Sequence, residues 1–126
     1  SLVLAGVILH DAAKAFDVKR VGLTWEPTIH SELVGHIPEI TTLIHDACNS
    51  LMIDADVRQR LLHVVLAHHG KLEFGSPVVP KTIEAEILHQ VDMLAPRRAM
   101  HREALDGVEV GEVTGWVRPL GRRLVR

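Results

Sequence analysis

The chain has 126 residues, a formal net charge of −2 and nine histidines. That length suits a single domain able to bury a core without disulfides or a structural metal, so a metal bound here would serve chemistry. Hydrophobic residues make up 47% and aromatics only 3%, so the core must be built from Leu, Val, Ile and Ala, a mix that favours helices. The single cysteine, Cys48, excludes an internal disulfide and reads as a buried, inert thiol, which points to a reducing, cytoplasmic setting. The apolar opening, residues 2–9, is too short to span a membrane and lacks the basic residues of a secretory signal, so no membrane role is expected.

In chain order, residues 2–16 predict a core helix that carries His10, Asp11 and Lys14 toward one region, since Lys14 follows His10 by four and Asp11 by three. Residues 17–27, with Gly22 and Pro27, read as a loop. From Thr28, an N-cap candidate, to about Ile53 the apolar positions keep helical spacing, with Pro38 set to bend the helix or begin a new one. Asp54 or Asp56 should cap the next helix, which ends on His68-His69 before Gly70. A Gly- and Pro-rich connection, residues 71–80, leads to a helix opened by Thr82 and carrying Asp92 about three turns in. Pro96 should kink or break that helix. Residues 106–126 read as a loosely structured or short-stranded tail whose last eleven residues hold Arg118, Arg122, Arg123 and Arg126 with no acid.

The chemistry resides in His10-Asp11, His36, His68-His69 and Asp92, which fall on four separate predicted helices. A bundle pointing them inward would assemble a cage of nitrogen and oxygen ligands, enough for two metals with Asp11 as a shared carboxylate.

These residues resemble the pattern of the HD-domain metal-dependent phosphohydrolases. His10 and Asp11 match the family's His-Asp pair, and Lys14 matches the basic residue that follows it to contact phosphate. His36 and the pair His68-His69 match the extra ligands of the two-metal subgroup, and Asp92 matches the distal aspartate. The wording of AGVILHD at residues 5–11, LVGHI at 33–37, AHHGKLEFGSP at 67–77 and EAEILH at 84–89 is similar to YhaM-type 3′-5′ exoribonucleases.

The resemblance implies an all-α fold: an HD-domain helical bundle over residues 1–105, N-terminally truncated, with the C-terminal tail at 106–126. It implies hydrolysis of phosphodiesters by two divalent ions, with manganese expected and iron, magnesium, cobalt, nickel or zinc as alternatives. Asp11 and Lys14 are the expected catalytic residues, and Lys14, Lys71 and Ser76 the expected substrate contacts. RNA trimmed from its 3′ end is the expected substrate. The alternatives kept open are an HD enzyme acting on small nucleotides, or an HD module that binds nucleotide without turnover. Oligomeric state also stays open.

Three departures from the family pattern stand out. Its first histidine has no counterpart here, so it and the preceding OB-fold domain are expected upstream of Ser1. Ala12-Ala13 replaces the glycine before the lysine, and residues 93–96 replace a polar stretch. The remaining histidines, His30, His45, His63, His89 and His101, read as packed or solvent-facing. His45-Asp46, a second His-Asp pair, reads as helix surface.

Overall fold

A computed structural model describes residues 1–126, and the chain divides into two compact units, Ser1–His89 and Gln90–Arg126. It is an all-α fold with one small β-ribbon. No helix is long and apolar enough to cross a membrane.

The first unit is built from α1 (Leu2–Leu9), α2 (Ile29–Leu33), α3 (His36–Ser50), α4 (Ala55–Leu66) and most of α5 (Ile83–Asp92), with a ribbon of β1 (Val18–Val21) and β2 (Thr24–Pro27) between α1 and α2. One core cluster joins Ile40, Ile44 and Cys48 of α3 to Leu61 and Val65 of α4, with Ala13 beneath and Leu2, Ala5 and Leu9 of α1 alongside. A second joins Val64 and Ala67 to Ala85 and Leu88 of α5. Gly6 lets α1 lie directly on this seam, because a Cβ there would stand 2.6 Å from Val64 Cγ1 and 3.2 Å from Leu88 Cδ2. The missing side chain sets how closely α1 approaches α4 and α5. Cys48 is buried and free, the inert position its apolar neighbours imply.

Three elements depart from the sequence expectation. The helix predicted over residues 2–16 stops at Leu9, and a 3₁₀ turn, Ala12–Phe16, follows Asp11. Asp11 sits at φ −109°, ψ 3°, in the sparsely populated bridge region where many site residues are found. Residues 17–27, expected as a loop, form the antiparallel ribbon, in register from Val18↔Pro27 to Val21↔Thr24. Its signal was a two-residue Gly22-Leu23 turn with Gly22 at φ 61°, where a hairpin turn favours glycine. Alternation gave no help, because both strands are exposed throughout and no apolar face is selected. Finally, the helix expected from Thr28 to Ile53 is broken at Gly35, whose φ of 76° lies in the left-handed region. Pro38 then falls in the first turn of α3, where its missing N–H leaves no intrahelical bond unmade.

The caps follow the side-chain chemistry. Thr28 accepts the Ser31 N–H and starts α2, and Asp54 accepts from Asp56 and Val57 to start α4. Thr82 accepts the Ala85 N–H at the head of α5.

The second unit begins within the last turn of α5 and contains α6 (Leu94–Leu105) and the tail. Pro96 lies in the first turn of α6 and marks a new helix rather than a kink. The tail folds on itself through the bridges Val113↔Val125 and Val117↔Arg122. Thr114 Oγ1 accepts the Leu124 N–H at 3.0 Å, and Arg126 Nη1 donates to the carbonyls of Leu105 and Val108.

Candidate metal centre

The histidines and aspartate of the first unit meet because three helices end at one place. His10 closes α1, His36 opens α3 directly after the Gly35 break, and His68-His69 follow the C-terminus of α4. Two of these are helix C-termini, whose partial negative charge favours a cation.

His68 is the centre of the group and is wholly buried. Its Nδ1–H donates to the Val65 carbonyl at 2.6 Å, which fixes the tautomer and leaves the Nε2 lone pair facing Asp11 Oδ1 at 3.8 Å. His36 Nε2 stands 3.6 Å from the same oxygen. The His68 and His69 ring centroids are 4.2 Å apart, and those of His36 and His69 5.4 Å. Ligand atoms of His36, His68 and His69 all lie within 4.8 Å of one another.

Four atoms of this group, Asp11 Oδ1, His36 Nε2, His68 Nε2 and His69 Nδ1, are buried with no hydrogen-bond partner. A buried, unsatisfied polar atom costs about 1–3 kcal/mol, and native structures hold few of them. Four orphaned lone pairs converging from three helix ends fit a divalent transition metal, for which neutral imidazole nitrogen and carboxylate oxygen are suitable ligands. An all-oxygen site, as magnesium prefers, is not what these residues offer.

The electrostatics agree with neutral imidazoles and an ionised carboxylate. Burial pushes His68 down to about 4, against the opposing effect of its hydrogen bond to the Val65 carbonyl. Burial, then the Lys14 charge, lowers His36. Burial alone would raise the Asp11 carboxyl, but the Lys14 hydrogen bond and the charges of His10, Lys14 and His68 together hold it below its ordinary value.

Asp11 divides its two oxygens. Oδ1 faces the three histidines, while Oδ2 receives Lys14 Nζ at 2.7 Å and lies 3.4 Å from His10 Nε2. His10 turns its Nδ1 to the carbonyls of Gly6 and Val7, which directs Nε2 toward Asp11. Asp92 is the last residue of α5, one turn beyond Leu88. Of the residues expected at substrate, Lys14 is half exposed. Lys71 is exposed, with Nζ 5.3 Å from the Phe74 ring centroid and 3.8 Å from Glu73. Ser76 is buried and gives its hydroxyl to the carbonyls of Leu66 and Val78, so it ties the loop after the histidines to the end of α4.

Two supporting residues escaped the sequence reading. Asp17 Oδ2 stands 3.6 Å from His36 Nδ1, the carboxylate-to-imidazole arrangement that orients a ligating histidine. Its only signal was its place six residues after Asp11, beyond a 3₁₀ turn that periodicity did not reveal. His89 Nδ1–H donates to the His68 carbonyl at 3.0 Å. Its ring fills the space beside Gly70, where a Cβ would overlap it, and Gly70 also holds φ 78°. Glycine is therefore required there twice over, and this fixes the chain just after His69.

The HD domain family model matches residues 1–97. The chain is 42% identical over 123 residues to the 3′-5′ exoribonuclease YhaM of Bacillus velezensis, 41% over 122 residues to that of Bacillus subtilis, and 42% over 123 residues to that of Bacillus licheniformis. Each alignment covers 97% of this chain and 38% of the relative, so the chain spans under two fifths of the length of these relatives. No solved structure matches it. With three quarters of its residues under the family model and the histidine cluster of that pattern gathered at one end of its bundle, this chain belongs to the HD domain family.

Proposed function

We propose that this chain is the metal-dependent phosphohydrolase portion of a 3′-5′ exoribonuclease, hydrolysing the terminal phosphodiester of RNA. The observation that carries the reading is the convergence of four buried, unpartnered lone pairs, from Asp11, His36, His68 and His69, at the meeting point of three helix ends. The names of the curated relatives supply the substrate class.

In this reading His36, His68, His69 and Asp11 Oδ1 would hold one divalent ion. His10 and Asp11 Oδ2 would contribute to a second, with Asp92 and a further histidine in the roles that the family pattern implies. Manganese is the ion proposed. When bound, such ions supply Lewis acidity to the phosphodiester and to water.

The residues of the chain do the rest. The neutral, tautomer-fixed His68 presents a lone pair without first losing a proton. Asp11 stays ionised. Lys14, held at Asp11 by a 2.7 Å ion pair, places a positive charge beside the reacting phosphate and neutralises charge that develops there. Lys71, on the exposed loop that Ser76 ties down, contacts the adjoining phosphate.

Elemental analysis after supply of manganese, followed by digestion of a 5′-labelled oligoribonucleotide, tests the reading. Bound manganese and a ladder shortening from the 3′ end, both lost in Asp11→Ala, are expected. Manganese-dependent cleavage that persists in Asp11→Ala would overturn it. Manganese bound without cleavage of RNA, but with turnover of a mononucleotide, would move the chain to the nucleotide phosphohydrolases.

A further inference from the structure

The ribbon β1–β2 is a structural anomaly: all eight of its residues are exposed. A two-stranded ribbon with no core face is marginal in water unless something fastens it. Here it is fastened at both ends. At the base, the Thr28 N–H donates to the Asp17 carbonyl at 2.9 Å and Thr28 Oγ1 to the Phe16 carbonyl at 3.0 Å. At the tip, Thr24 Oγ1 donates to the Val21 carbonyl and Arg20 Nε to the Gly22 carbonyl, each at 3.0 Å.

Directly opposed residues of an antiparallel pair share a face. Arg20 and Trp25 are therefore neighbours on one face, beside the Val18–Pro27 pair, while Lys19 lies opposite Glu26 on the other. Trp25 is 67% exposed, although tryptophan is on average among the more deeply buried residues. Lys19 and Arg20 against Glu26 leave the ribbon a net positive charge. An exposed indole beside a guanidinium is the pairing with which proteins hold single-stranded nucleic acid, the ring stacking on a base and the cation meeting the backbone.

The position matters as much as the chemistry. The ribbon begins directly after Asp17, whose carboxylate stands 3.6 Å from His36 Nδ1. Arg20, the cross-strand partner of Trp25, is three residues further on, about 10 Å along an extended strand. That separation suits a nucleotide next to one held at the histidine cluster.

We infer that the β1–β2 ribbon is a base-stacking platform for the RNA strand, with Trp25 stacking a nucleobase and Arg20 contacting a backbone phosphate. The inference rests on the phosphodiesterase reading and names the residues that hold the strand beside that centre.

The test is binding, measured in EDTA so that it does not depend on turnover, by fluorescence anisotropy of a 5′-labelled octauridylate at low salt. Trp25→Ala should weaken binding about tenfold, and Trp25→Phe should restore most of it, because loss of one stacked base is of that order. Arg20→Gln should lower the slope of log affinity against log salt by about one. Manganese content should be unchanged in all three variants. Equal affinity of Trp25→Ala and the parent chain overturns the platform, as does absence of binding by the parent. So does a Trp25→Ala variant that loses self-association in sedimentation while binding the oligonucleotide normally, since the ribbon would then join copies of the chain. Turnover of bis(p-nitrophenyl) phosphate by the parent separates the two readings. Turnover with unaltered Trp25→Ala affinity removes the platform alone, whereas no turnover with weakened Trp25→Ala affinity removes the phosphodiesterase reading and leaves a single-strand binding site.

Discussion

The chain contains two His-Asp pairs, and the fold treats them in opposite ways. His45-Asp46 lies within α3, where both side chains are exposed. Adjacent residues on a helix point about 100° apart, so the two cannot aim at a common centre. His10-Asp11 lies where α1 gives out, and the irregular backbone at Asp11 turns its carboxylate toward histidines from two other helices. The difference lies in what surrounds the pair. Desolvation and convergence at three helix ends distinguish the first pair, and the second has neither.

The largest effect expected from attacking this contrast is at His68. His68→Ala removes the proposed ligand that is wholly buried and tautomer-fixed, and it should lower manganese affinity at least 100-fold and abolish manganese-dependent hydrolysis. Elemental analysis and a metal titration check this. Near-parental metal content in the variant would dissolve the distinction between the two pairs.

Asp17→Asn sharpens it from one shell further out. Loss of the carboxylate beside His36 Nδ1 should weaken metal binding by about 10–100-fold, the usual cost of removing such a support, while circular dichroism stays unchanged.

A histidine away from the cluster should respond to pH instead. His63 Nε2 accepts the Lys81 backbone N–H at 2.9 Å, so this bond requires the neutral ring. Burial, then the Lys81 charge, lowers its pKa from 6.5. The unfolded chain therefore takes up the proton first as pH falls. The stabilisation is complete above about 6.5 and is lost as pH drops through the lowered folded value. His63→Gln, which keeps an acceptor but does not titrate, should flatten the fall in melting temperature between pH 7 and pH 5 without removing it, since His36 and His68 are shifted in the same direction. An unchanged slope would show that His63 has no share in it.

The smallest effect belongs to the second pair. His45→Ala with Asp46→Ala should change stability by less than about 0.5 kcal/mol, as exposed substitutions usually do, and leave metal content as it was. A loss of metal here would break the comparison outright.

Local chemistry is what the sequence alone determined. Thr28 and Asp54 start helices because their side chains can accept the first free N–H groups, and the apolar spacing of Ile37, Ile40, Ile44 and Cys48 marks the buried face of α3. The His-Asp wording and the AHHGKLEFGSP segment identified the family, because a run of specific residues survives without any knowledge of contacts. Tertiary structure decided where helices stop and what gathers at their ends. The break at Gly35 places His36 at the head of α3, and the break after Leu9 frees Asp11 to divide its oxygens between two groups of partners. Neither break follows from periodicity, which continues through both. Asp17, His89 and the solvent-facing ribbon were hidden for a related reason. Their roles depend on neighbours distant in sequence, such as His36 for Asp17 and Gly70 for His89, or on a face that no core selects, and a linear pattern records only burial that repeats along an element.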